Sequence, residues 1–187
     1  MALLSISSEP ESSVLHLEGE RVKLWPYMAG VYSRDLLGRL WRVIETHGDG
    51  ARLFWGNANP PDIRMDLPAF CAFFSSDSRA LLLITNPDGS EIIGCTWWDD
   101  IVPGHHAFGS LYMVPAYRGR PSLEATRLSA QWAFSHYACR QLWALTPWPE
   151  VASMITHAGF SRVATLPAFA LWQGQTHDVG VFRKVRD

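Results

Sequence analysis

Leu111-Tyr-Met-Val-Pro-Ala-Tyr-Arg-Gly-Arg-Pro-Ser122 decides the fold, because it joins a strand to a helix through a turn. On its N-terminal side, His105 to Val114 reads as an antiparallel strand. Two-residue periodicity puts Phe108, Ser110, Tyr112 and Val114 on one face, and Ala107, Gly109, Leu111 and Met113 on the other. On its C-terminal side, Pro121-Ser122 opens a helix that runs to about Tyr137. Ser122 is the expected N-cap, and Glu124 suits the positive first turn. Ala125, Leu128, Trp132, Ala133 and His136 form the helix's apolar stripe.

Upstream of this stretch, Pro103-Gly104 is a turn and Glu91 to Ile101 the strand before it. Asn86-Pro87-Asp88-Gly89 is a stronger turn, and it follows Arg79 to Thr85, an unbroken apolar run expected of a central strand. Trp97 and Trp98 are neighbours on a strand and so face opposite ways. At least one of them must therefore meet a second apolar layer, a partner or a ligand. Asp62 to about Ser76 carries helical spacing, with Pro68 forcing a late start or a kink. Residues 51–61 form a loop. Met28 to about Thr46 is another helix, stopped by His47-Gly-Asp-Gly50. Arg21 to Pro26 is a first strand ended by proline, and residues 1–16 form a polar leader.

Downstream, Arg140 to Thr146 is a short strand and Glu150 to Ala158 a short helix stopped at Gly159-Phe160. Two strands, Ser161 to Trp172 and His177 to Lys184, flank Gly174. The sum is one α/β domain over residues 17–187. Its mixed, mainly antiparallel sheet has about six to seven strands, flanked by about four helices.

The composition, 48% hydrophobic and 18% charged over 187 residues, suits a folded globular chain. A net charge of −2 lacks the basic balance of a nucleic-acid binder. Cys71, Cys95 and Cys139 form no Cys-x-x-Cys pair, which argues against a disulfide framework or a structural metal site. With no apolar stretch near the roughly 18 residues that span a bilayer, the expectation is a cytoplasmic protein. The aromatic content, nine tryptophans among it, leaves a homodimer open.

The order of elements resembles that of the Gcn5-related N-acetyltransferase superfamily. Leu111 to Arg120 is similar to the family's strand end, where Val-x-Pro is followed by Tyr/Phe-Arg-Gly. Ala158-Gly159-Phe160 resembles the Gly-Phe after its fourth helix. Leu17-Glu-Gly-Glu-Arg21 through Leu24-Trp-Pro26 resembles the opening of the ribosomal-protein and aminoglycoside acetyltransferase branches. The resemblance implies acetyl-CoA as co-substrate, with the pantetheine arm on the backbone of Tyr112, Met113 and Val114. Arg118, Gly119, Arg120 and Ser122 would flank the pyrophosphate, where the unpaired N–H groups and dipole of a helix N-terminus favour an anion.

The chain departs from the family pattern at several positions. The pattern asks for glycine at 121 and a small residue at 123, but Pro121 has no N–H and Leu123 brings a side chain toward the cofactor's approach. Ile155 stands where many members carry a general-acid tyrosine, and Trp148 lies near the place of an asparagine. Ser110 stands about where others carry a glutamate, and serine is no base near neutral pH without help. The remaining acid–base candidates are Tyr112, Asp99, His105 and His106, with Asp100 and His157 nearby; an Asp–His pair across the hairpin turn is geometrically easy. A backbone N–H at Val114 would serve as donor to the thioester oxygen.

The expected activity is transfer of an acetyl group from acetyl-CoA to a primary amine, on a small molecule or a protein. The alternatives are a non-catalytic binding protein on the same fold and, against the charge balance, a nucleic-acid modifier.

Overall fold

The computed structural model describes residues 16–27, 34–53, 65–76 and 78–186. Eight strands form one sheet in the order β1-β2-β3-β4-β5-β6-β8-β7. They are β1 (Leu17–Glu18), β2 (Lys23–Tyr27), β3 (Ala80–Thr85), β4 (Ile92–Val102), β5 (His106–Met113), β6 (Gln141–Thr146), β7 (Ser161–Trp172) and β8 (Gln175–Val185). All neighbours are antiparallel except β5 and β6. Parallel neighbours need a crossover, which here is the long helix α4. The helices are α1 (Arg34–Thr46), a single turn α2 (Gly50–Leu53), α3 (Leu67–Phe74), α4 (Arg120–His136) and α5 (Pro149–His157).

Turn chemistry sets the first meander. Gly89, at φ 77°, closes Asn86–Gly89 with its N–H on the Asn86 carbonyl at 3.0 Å. The expected apolar run is β3, buried from Leu81 to Thr85 between β2 and β4. Trp97 and Trp98, both buried, do face opposite ways. Trp97 meets Phe73 and Phe74 of α3 at ring distances of 6.3 and 5.6 Å. Trp98 lies over Gly109, where a β-carbon would come 2.6 Å from its ring. On that second face Thr96 meets Ser129 of α4 at 3.2 Å. The sheet is therefore covered by α1 and α3 on one side and by α4 on the other.

Several sequence expectations need correction. The first strand continues through Pro26 to Tyr27, because β1 pairs with Lys23 and Leu24 and, among the described residues, leaves the outer edge at Pro26 unpaired. The sheet also has one strand more than the upper expectation, the short β1. Of the late start or kink expected at Pro68, the structure shows the late start: α3 begins at Leu67, one residue before it, with the Asp66 carboxylate accepting from the Ala69 N–H at 2.8 Å. Ser122 is not a cap. Gly119, at φ 99°, is the residue before α4, and Ser122 sits buried in the first turn with its hydroxyl toward the Tyr117 carbonyl at 3.4 Å. Glu124 receives the main-chain N–H groups of Glu20 and Arg21, so its charge tethers the start of the sheet to α4. His136, placed on the apolar stripe, is exposed and stacks on Trp132 at 4.7 Å. The leader up to residue 15, residues 28–33 of the first helix, and the loop and helix start at 54–64 lie outside the described residues.

Candidate active site

Strands β5 and β6 pair over three positions only, His106 to Phe108 against Gln141 to Trp143. Beyond Phe108, β5 stays bonded to β4 as far as Met113, and β6 stays bonded to β8 as far as Thr146. Between these two diverging ends lies a cavity of about 360 Å³, a volume typical of small-molecule sites. One wall carries Ser122, Thr126 and Ser129 of α4 with Val151, Met154 and Ile155 of α5. The other side carries Ser110, Tyr112 and Trp97, with Asp49 and Leu53 from the corner after α1. Residues from both faces of the sheet line one space, so the cavity passes through the sheet at the split.

The ladder fixes which main-chain groups face this opening. The Val114 N–H donates to the Ile93 carbonyl at 2.9 Å. In an antiparallel ladder such pairs alternate, so residues 110, 112 and 114 turn both polar groups toward β4. Residues 109, 111 and 113 turn theirs toward the split. Of the three residues expected to meet a pantetheine arm, Met113 alone has main-chain groups facing the opening; Leu111, unexpected, is the second. The N–H of Val114 is occupied and cannot serve an oxyanion.

At the turn, Pro115–Tyr117 forms one 3₁₀ turn and Arg118 is extended before Gly119. Gly119 holds a positive φ at which a β-carbon would meet no atom of the described residues within 4 Å, so among them the turn is open on that side. Pro121 removes one N–H from the first turn of α4, while Arg120 and Ser122 keep theirs. Leu123 is half-buried against the core and is not among the residues lining the cavity. Arg120 is exposed and outside that lining. Arg118 lines the cavity but is engaged: Nη2 donates to Asp49 Oδ2 at 2.7 Å and Nε to the Met113 carbonyl at 3.2 Å.

Inside the cavity, Tyr112 is only 4% exposed, and its hydroxyl makes no hydrogen bond within normal distance among the described residues. Burial, with the Asp49 carboxylate adding to it, pushes the phenol well above its usual pKa, so it is a proton donor at neutral pH. The buried Trp98 indole N–H has no acceptor among the described residues. Ile155 is buried in the cavity wall and brings no proton.

The other acid–base candidates lie elsewhere. Asp99 borders a separate hollow with Arg79, Asp100 and Tyr137. Burial raises its carboxyl despite the pull of Arg79 and of the Trp97 indole. His105 and His106 meet each other, Nδ1 to Nδ1, at 2.6 Å, and His106 packs edge-on to Phe108. Strand alternation explains the separation: Asp99 opposes Phe108, while the histidines sit beyond the irregularity at Val102. The structure thus brings Ser110, Tyr112, Met113, Arg118, Gly119 and Ser122 to one cavity and leaves Asp99, His105 and His106 outside it. Asp49 was missed because its Gly-flanked position reads as a helix stop. The orphaned Trp98 N–H was half-visible in the tryptophan pair.

No family model matches the chain, and no curated protein matches it in sequence. Solved structures do match in fold. A ribosomal-protein-S5-alanine acetyltransferase from Vibrio fischeri superposes with a TM-score of 0.69 at 14% identity, over 92% of this chain and 97% of that one. A spermidine N-acetyltransferase from Vibrio cholerae, solved with CoA and spermine, gives 0.70 at 11% identity, over 89% and 96%. A probable GNAT-family acetyltransferase from Chromobacterium violaceum gives 0.68 at 20% identity, over 99% and 93%.

Proposed function

Because this chain has the fold of the Gcn5-related N-acetyltransferases, we propose that it transfers an acetyl group from acetyl-CoA to an amine on a small molecule or a protein. The observation that carries this reading is the split between β5 and β6, which opens a cavity through the sheet beside the N-terminus of α4.

The residues present fit such a donor in part. Leu111 and Met113 offer main-chain groups along the open edge, as an added strand would need. Gly119, Arg120 and Ser122 leave N–H groups at the positive end of α4 for phosphate oxygens, and Pro121 withholds one. The donor supplies an acyl group activated as a thioester. Around it, the Leu111 and Met113 N–H groups and the Trp98 indole are donors within the same cavity, able to stabilise developing negative charge on a carbonyl oxygen. The acceptor enters the reaction as a neutral amine, after its ammonium proton passes to water. As the C–N bond forms and the C–S bond breaks, the Tyr112 hydroxyl, kept protonated by its surroundings, can donate to the leaving sulfur and take back the proton the nitrogen sheds. Ser110 lines the acceptor side and takes no proton itself.

The fold relative solved with CoA supports this reading by analogy. No helix among the described residues is long and apolar enough to cross a membrane, and a cytoplasmic setting is part of the proposal. A second reading, a binding protein without chemistry, draws on Pro121 and on the engagement of Arg118 by Asp49. Calorimetry with acetyl-CoA and CoA tests the proposal: saturable binding is expected, and no heat at millimolar ligand overturns it.

A further inference from the structure

The Arg118–Asp49 pair joins the two sides of the cavity. Arg118 belongs to the turn before α4; Asp49 belongs to the corner after α1, 69 residues earlier. Their exposures differ: the Asp49 side chain is 15% exposed, inside the cavity, and Arg118 is 45% exposed, reaching solvent at the turn. Arg118 also holds the Met113 carbonyl, one of the main-chain groups facing the split. A single side chain therefore covers both the acceptor-side carboxylate and the strand edge. It is also the one cation among the described residues lining the cavity.

We propose that Arg118 changes partner during binding, leaving Asp49 and Met113 for the donor's phosphates and so freeing Asp49 to hold the acceptor's ammonium group. The inference rests on the acyl-CoA reading above and adds an order to it. Guanidinium pairs with phosphate at least as well as with carboxylate, and its position at the open turn puts the competing anion on its solvent side. Once Arg118 leaves, Asp49 is a mostly buried carboxylate with no other cation among the described residues lining the cavity, an arrangement that favours entry of one. Tyr112, whose hydroxyl is buried without a short hydrogen bond, and Trp97 stand on that same side. The Met113 carbonyl, released by the same movement, becomes available to the donor's amide arm. Donor therefore binds before acceptor, and Asp49 is the residue that makes the second step depend on the first.

The test is CoA calorimetry on the wild type, Asp49→Asn, Arg118→Gln and the double variant, each checked for folding by circular dichroism. Asp49→Asn is expected to tighten CoA about five-fold, since it removes the competitor for Arg118. Arg118→Gln is expected to weaken it, and Asp49→Asn added to Arg118→Gln to change nothing further. A gain that persists undiminished without Arg118 would reveal simple charge repulsion and overturn the exchange, as would equal or weaker binding in Asp49→Asn. If CoA binds none of the four folded chains, the donor reading fails and the exchange falls with it. A second arm uses benzylammonium, an amine with an aromatic body for Trp97. It is expected to bind the wild type more tightly with saturating CoA than without it, and Asp49→Asn with no such coupling. Equal affinity in the wild type with and without CoA overturns the acceptor half.

Discussion

The strands β4 and β5 run together through the molecule and end in two very different places. At one end the hairpin carries Asp99, Asp100, His105 and His106, four titratable side chains within eight residues. At the other, the chain passes from Met113 through a proline, a 3₁₀ turn and a positive-φ glycine into α4. The first end holds the residue types of acid–base chemistry, and its two aspartates border a separate hollow outside the cavity. The second holds few such groups and borders the cavity through the sheet. The cavity is made by strand divergence and main-chain direction, not by a cluster of titratable side chains.

That contrast can be broken by substitution at either end. The largest effect is expected from Trp98→Ala. This side chain is 3% exposed and fills the space over Gly109, so its loss costs about 3–5 kcal/mol in urea denaturation and enlarges the cavity. Next comes Pro121→Ala, which restores an N–H to the first turn of α4. CoA affinity should rise about five-fold by calorimetry, while the melting temperature falls slightly because the unfolded chain gains freedom.

At the hairpin end the effects shrink. Burial holds the Asp99 carboxyl above its ordinary range. A raised carboxyl favours the fold while protonated: its contribution is full below the unfolded pKa of about 4 and is lost as pH rises through the higher folded value. Asp99→Asn removes that loss. Its melting temperature should exceed the wild type's by about 1–2 °C at pH 7 and match it at pH 3. The smallest effect is expected from His105→Ala with His106→Ala, within about 0.5 kcal/mol in stability and with CoA binding unchanged. A large loss of CoA affinity in that variant would reverse the comparison.

The order of elements was legible because proline, glycine and asparagine mark the turns, as at Asn86–Gly89 and Gly174, and because the apolar run of β3 allows only a central strand. The strand–turn–helix around Arg118 was legible for the same reason. The site was less so. Which of Tyr112, Met113 and Val114 faces the split depends on the register with β4, and one residue of shift reverses the answer. Asp49 gains its meaning from Arg118, a partner that no local pattern supplies. Ser122 lost the cap to Gly119 because a backbone at φ 99° outweighs a side-chain preference. The hairpin histidines lie outside the cavity lining, a placement that proximity in sequence to acids does not reveal.

The short contact between β5 and β6 has a mechanical consequence. Five strands lie on one side of it and three on the other, and three residue pairs join these two plates edge to edge. Helix α4 packs on β4, β5 and β6 and so spans the join, while α5 packs on β6 and β8 alongside it. The sheet is therefore stiff within each plate and compliant along one seam. On the function proposed above, a donor lying along the diverging edges would act as a missing length of strand, lengthening the seam and coupling the plates.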